Sequence, residues 1–133
     1  MSKLGFATFV SVGLLSMAGS ASAQNIPSAC QIVVDALRAC VDNSVEFLQI
    51  EKPDEAEELK RQKVPETLSK MLRDSVTQLG ERETAVNCAK KQARQNAFNT
   101  LSSFVTPLGM VGALNPACAS SYQKIGQILQ RMD

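Results

Sequence analysis

Cys30 and Cys40 stand ten residues apart inside one uninterrupted run of helical periodicity, and that spacing limits what this chain can fold into. The run extends from Ser28, a residue suited to capping a helix, to about Ile50. Cys30, Val33, Val34, Leu37, Cys40, Val41, Val45 and Leu48 recur at the i, i+3, i+4, i+7 positions of one face. Gln31, Asp35, Arg38, Asp42, Glu46 and Gln49 occupy the opposite face. Ten residues of helix are about 15 Å long, whereas a disulfide holds its Cα atoms within about 7 Å. Cys30 and Cys40 therefore cannot bridge to each other, and each must reach Cys88 or Cys118 on another element. In an up-down-up-down bundle, Cys30 and Cys88 lie near the beginnings of helices that point the same way. Cys118 then opens a helix at the opposite end, nearer Cys40. This geometry predicts the pairs Cys30–Cys88 and Cys40–Cys118.

Disulfides need an oxidising compartment, and the N-terminus supplies a reason to expect one. Residues 1–23 read as a secretory signal: Lys3 as the positive region, Gly5 to Met17 as the apolar region, and Ala21-Ser22-Ala23 as a small-residue cleavage site. The expected product is one helical domain, residues 24–133, in the bacterial periplasm or secreted. Its apolar leader is shorter than the roughly 20 residues that span a bilayer, and no later run is longer, so no stable membrane insertion is expected. Without Lys3 the remainder carries 13 basic and 13 acidic side chains. That balance lacks the basic excess of a nucleic-acid-binding domain, and the absence of Trp removes the best stacking platform.

The rest of the chain also reads as helix. Glu51-Lys52-Pro53-Asp54 breaks the first pattern, and Asp54 is suited to cap a short polar helix from Glu55 to Lys63, acids first and bases last. That helix has only Ala56 and Leu59 to bury and is expected to be mobile. Pro65 suits the first turn of the next helix, whose apolar face is Leu68, Met71, Leu72, Val76 and Leu79, with Gly80 as its stop. A third main helix is predicted from Glu81 to Val105. Its alanines at 85, 89, 93 and 97 recur every four residues, which reads as a seam along which a neighbouring helix packs closely. Thr106-Pro107 is read as its end. Leu108, Met110, Val111 and Leu114 fall in an apolar loop, and Asn115-Pro116 starts the last helix, with Cys118, Tyr122, Ile125, Leu129 and Met132 on one face. No segment alternates as a half-buried strand does. The expected fold is all-α, a small disulfide-linked bundle of four main helices plus one short helix.

The chain lacks the usual parts of an active site. With no histidine there is no Ser-His-Asp triad, no Cys-His pair and no imidazole ligand. The cysteine intervals of 10, 48 and 30 residues match no zinc motif, and Gly109 and Gly112 are not followed by the Lys-Ser/Thr of a phosphate loop. No catalytic residue, metal or cofactor is assigned, and the four cysteines are read as structural. Two features suit binding instead. One is the charge-segregated stretch Glu51, Asp54, Glu55, Glu57, Glu58, Lys60, Arg61 and Lys63, able to steer a protein partner. The other is the apolar set Leu108, Met110, Val111 and Leu114, suited to capping the core, lining a pocket or meeting a partner. The leading expectation is an exported, non-catalytic protein-binding domain of accessory, chaperone-like or inhibitor type. The alternatives are a carrier of a small apolar ligand and a homodimeric envelope component that uses the alanine seam between chains.

Overall fold

The computed structural model describes residues 25–132; the expected export signal lies outside them. Six helices follow one another: α1 (Ser28–Glu51), α2 (Pro53–Gln62), α3 (Val64–Leu79), α4 (Glu81–Ala89), α5 (Lys91–Met110) and α6 (Pro116–Arg131). No strand occurs among the described residues. The fold is a small all-α bundle closed by Cys30–Cys88 and Cys40–Cys118, with Cα separations of 5.3 and 4.6 Å. Both bridges are the predicted ones, and they belong to an oxidising, extracellular-type environment. No helix among the described residues is long and apolar enough to cross a membrane.

Helix α1 is about 36 Å long by its residue count and packs against each of the other five helices. That is why its buried surface is wider than one amphipathic stripe. Val34, Ala36, Leu37, Cys40, Val41, Asn43 and Ser44 are all buried. Helices α2 and α3 descend along it, α4 lies across its start through Cys30–Cys88, α5 ascends and α6 descends. The core gathers Ala36, Leu37, Cys40 and Val41 of α1 with Leu101 of α5 and Cys118 and Ile125 of α6.

Local chemistry explains most helix ends. Pro53 and Pro65 sit in the first turns of α2 and α3, where a missing N–H is harmless. Gly80 adopts φ 95°, a conformation open to glycine, and separates α3 from α4. Asn115 caps α6, its side chain accepting from the Cys118 N–H at 2.9 Å.

Four expectations need correction. Ser28 is already inside α1, whose cap position is Pro27. Asp54 is likewise inside α2, because Pro53 starts that helix one residue earlier. The short polar helix α2 buries the two residues expected of it: Ala56 is completely buried and Leu59 packs on the core, since a methyl side chain lets α2 lie close to α1. The helix predicted from Glu81 to Val105 is two helices, broken at Lys90, whose backbone is extended. No glycine or proline marks that break. Cys88, two residues earlier, ties α4 across the start of α1, and the chain must turn there to run back along it. Finally, α5 continues through Pro107 to Met110. Leu108, only 3% exposed, anchors the added turn, and Ala113 N–H donates to its carbonyl at 2.8 Å.

The break at Lys90 also dissolves the alanine seam. Ala85 and Ala89 belong to α4, whereas Ala93 and Ala97 belong to α5. The close helix approach occurs elsewhere, at Gly126 of α6. A Cβ there would lie 3.1 Å from Phe98 Cε1, and the Phe98 ring stacks on Tyr122 at 4.6 Å.

Candidate functional site

The C-terminal halves of α1 and α5 meet at one end of the bundle, and α2 folds back beside them. Between them lies an apolar groove of about 260 Å³. Phe47 and Leu48 come from α1, Leu59 from α2, and Phe104, Pro107 and Leu108 from α5, with Val111 at the mouth. Leu108 forms the buried floor, while Val111 is 58% and Met110 82% exposed. Ile50, two residues beyond Leu48, is also largely exposed. A concave apolar surface ringed by exposed apolar side chains characterises interaction sites.

The four residues of the apolar sequence stretch therefore separate. Leu108 and Val111 line the groove, Met110 projects beside it, and Leu114 is half-buried and packs on the core. What fixes the loop is Asn43, which the sequence pattern did not single out. Asn43 is 2% exposed. Its Nδ2 donates to Ala113 O at 3.0 Å, and its Oδ1 accepts from Asn115 N–H at 2.8 Å. Three residues away, Cys40 is bonded to Cys118. The amide latch and the disulfide together hold the α5–α6 connection against α1.

The charged stretch lies along α2, which contributes only Leu59 to the groove. Most of its charges pair along the helix: Lys52 with Glu55 at 3.6 Å, Glu57 with Lys60 at 2.9 Å, and Glu58 with Arg61. The hydrogen bond from Lys60 and its positive charge hold the Glu57 carboxyl below the usual carboxylate range. Asp54 lies in the acidic first turn of α2, and Glu51 ends α1. Lys60 and Lys63 border a second surface depression, on the other side of Leu59, together with Asp42 and Glu66. Lys63 itself sits at the α2–α3 turn with φ 48°. The two sequence features thus meet through Leu59 and Val111, and none of the eight charged side chains lines the groove.

A third concavity was not anticipated. A cleft of about 360 Å³ separates α3 from α5 over the start of α1. Leu68 and Leu72 line one wall, Ala93 and Ala97 the other, and Val33 and Leu37 the floor. The alanine periodicity was its only sequence signal: small side chains leave space where no helix covers them.

Among the described residues, no three Asp, Glu, Cys or His side chains converge as metal ligands would. Arg94 is the outlier among buried groups. It is 6% exposed, its Nε and Nη1 have no hydrogen-bond partner, and desolvation lowers its pKa. Compared with family models, curated proteins and solved structures, the chain matches none of them.

Proposed function

We propose that this protein is a non-catalytic protein-binding domain, exported to the bacterial periplasm or secreted, whose partner seats an apolar side chain in the groove between α1, α2 and α5. The observation that carries this reading is the exposure of Met110 and Val111 beside a groove whose floor, Leu108, is buried. An apolar anchor entering such a pocket is the usual centre of a protein interface. The frame around it is rigid, cross-linked near the groove by Cys40–Cys118 and at the far end by Cys30–Cys88, so little ordering entropy is lost on binding. The paired charges of α2 form a polar rim that orients the partner.

The test is photo-crosslinking in the native cell from a reactive amino acid at Met110, with an exposed position on α6, Gln123, as control. Met110 should give a discrete adduct and Gln123 none. Val111→Asp, which alters an exposed residue, should abolish the adduct while leaving the helical circular dichroism unchanged. An adduct that survives Val111→Asp, or appears equally from Gln123, contradicts the reading.

A further inference from the structure

We infer that the cleft between α3 and α5 is a second, independent binding site for a small neutral amphiphile, with an apolar body and one oxygen acceptor such as an amide carbonyl. Its volume of about 360 Å³ falls within the range of roughly 300–1,000 Å³ typical of small-molecule pockets. The walls are largely apolar, and no charged side chain lines them. A buried carboxylate or phosphate would therefore lose its hydration without gaining a counter-charge.

Asn96 and Thr100 of α5 add polar groups to the lining, and a pair of hydroxyls stands at the α4 end. Ser75 and Thr84 both line the cleft, and their hydroxyl oxygens are 2.9 Å apart. Two hydroxyls carry two hydrogens, and one hydrogen bond between them uses one. Neither hydroxyl has another partner among the described residues. Whichever one donates to the other, one O–H hydrogen remains; Thr84 is 1% exposed and Ser75 half-buried, so a ligand seated in the cleft would cut the pair off from water. A ligand acceptor placed at that end completes it. Asn87, also at this end, presents a further amide. Ala93 and Ala97 matter because they are small: a larger side chain at either position would fill the space the ligand occupies.

The experiment uses the oxidised full-length domain and the neutral fluorophore N-phenylnaphthylamine, displaced by decanamide or by decanoate. One fluorophore should bind per chain. Decanamide should displace it, and decanoate should do so at least tenfold less effectively. Ala97→Phe should weaken fluorophore binding at least tenfold. Ser75→Ala combined with Thr84→Val, which removes both hydroxyls, should weaken decanamide about fivefold, the loss of one hydrogen bond, and leave the fluorophore unaffected. The circular dichroism of both variants should match the parent. The proposal is overturned by absence of fluorophore binding, by equal competition from decanoate, or by Ala97→Phe binding as the parent does. It is also overturned if sedimentation shows a dimer that Ala97→Phe dissociates while the parent binds no fluorophore, since the cleft would then receive a second copy of the chain.

Discussion

Removing Cys40–Cys118 by Cys40→Ala and Cys118→Ala tests how the cross-links hold the frame. Alone, this bridge closes a loop of 78 residues, and Cys30–Cys88 one of 58. The loops overlap, so the bridges are not independent. With Cys30–Cys88 closed, the shortest path from Cys40 to Cys118 runs back to Cys30, across that bridge, and on from Cys88. It is about 40 residues long, and the chain-entropy relation gives about 4 kcal/mol for opening it. The path is the same when Cys30–Cys88 is opened with the other bridge intact. Loop entropy therefore predicts equal losses, and any difference between the two variants reports packing. Cys40 and Cys118 are wholly buried members of the core, whereas Cys88 is half-buried. Cys30→Ala/Cys88→Ala should lose about 4 kcal/mol and Cys40→Ala/Cys118→Ala measurably more. Urea melts would read both, with slopes that steepen as the unfolded chain loses its cross-link, and a fall in Tm of at least about 12 °C should accompany the first. Opening both bridges removes about 8 kcal/mol, comparable to the total stability of about 5–15 kcal/mol for a domain, and should leave the chain largely unfolded. A loss below about 1 kcal/mol for the core bridge, or a larger loss for Cys30–Cys88, would refute this reasoning.

Three further outcomes follow from individual side chains. Asn43→Ala leaves the Ala113 carbonyl and the Asn115 N–H without their partner. It should lower stability by about 2–3 kcal/mol and speed amide exchange at Asn115; unchanged exchange there would discount the latch. Arg94→Met keeps the aliphatic stem and removes the two unpartnered guanidinium nitrogens, so stability should rise by about 1–3 kcal/mol, and a fall on thermal melting would contradict that. Glu57 has a folded pKa below its ordinary value, with Lys60 as the main cause. Its contribution is complete above the ordinary carboxylate range and disappears as pH falls through the lowered value. An NMR titration should place its midpoint below the ordinary value, and Lys60→Gln should move it back up; a midpoint indifferent to Lys60 would remove the pair from the account.

What could be read from the sequence was local, or was geometry imposed by covalent bonds. The apolar period of α1, Asn115 as the cap of α6, and the ten-residue interval that sends Cys30 and Cys40 to different helices all depend on neighbours along the chain. The i, i+3 charge pairs of α2 are of the same kind. What was missed depends on tertiary contacts. Nothing local at Lys90 stops a helix; the bridge at Cys88 does. Pro107 has a strong local reason to end α5, but burial of Leu108 outweighs it. The meeting of Leu59 with Val111 requires knowing that α2 folds back on α1. The alanine repeat was visible, but its consequence was inverted: it marks where packing is absent, and so where a cleft opens.

Hydrogen–deuterium exchange on the oxidised domain, with and without the protein captured at Met110, addresses the binding surface itself. The account predicts added protection confined to residues 44–59 and 103–111, which border the groove, with α4 and α6 unchanged. Protection centred on α4, on α6 or on the cleft between α3 and α5, with the groove left unprotected, would contradict it.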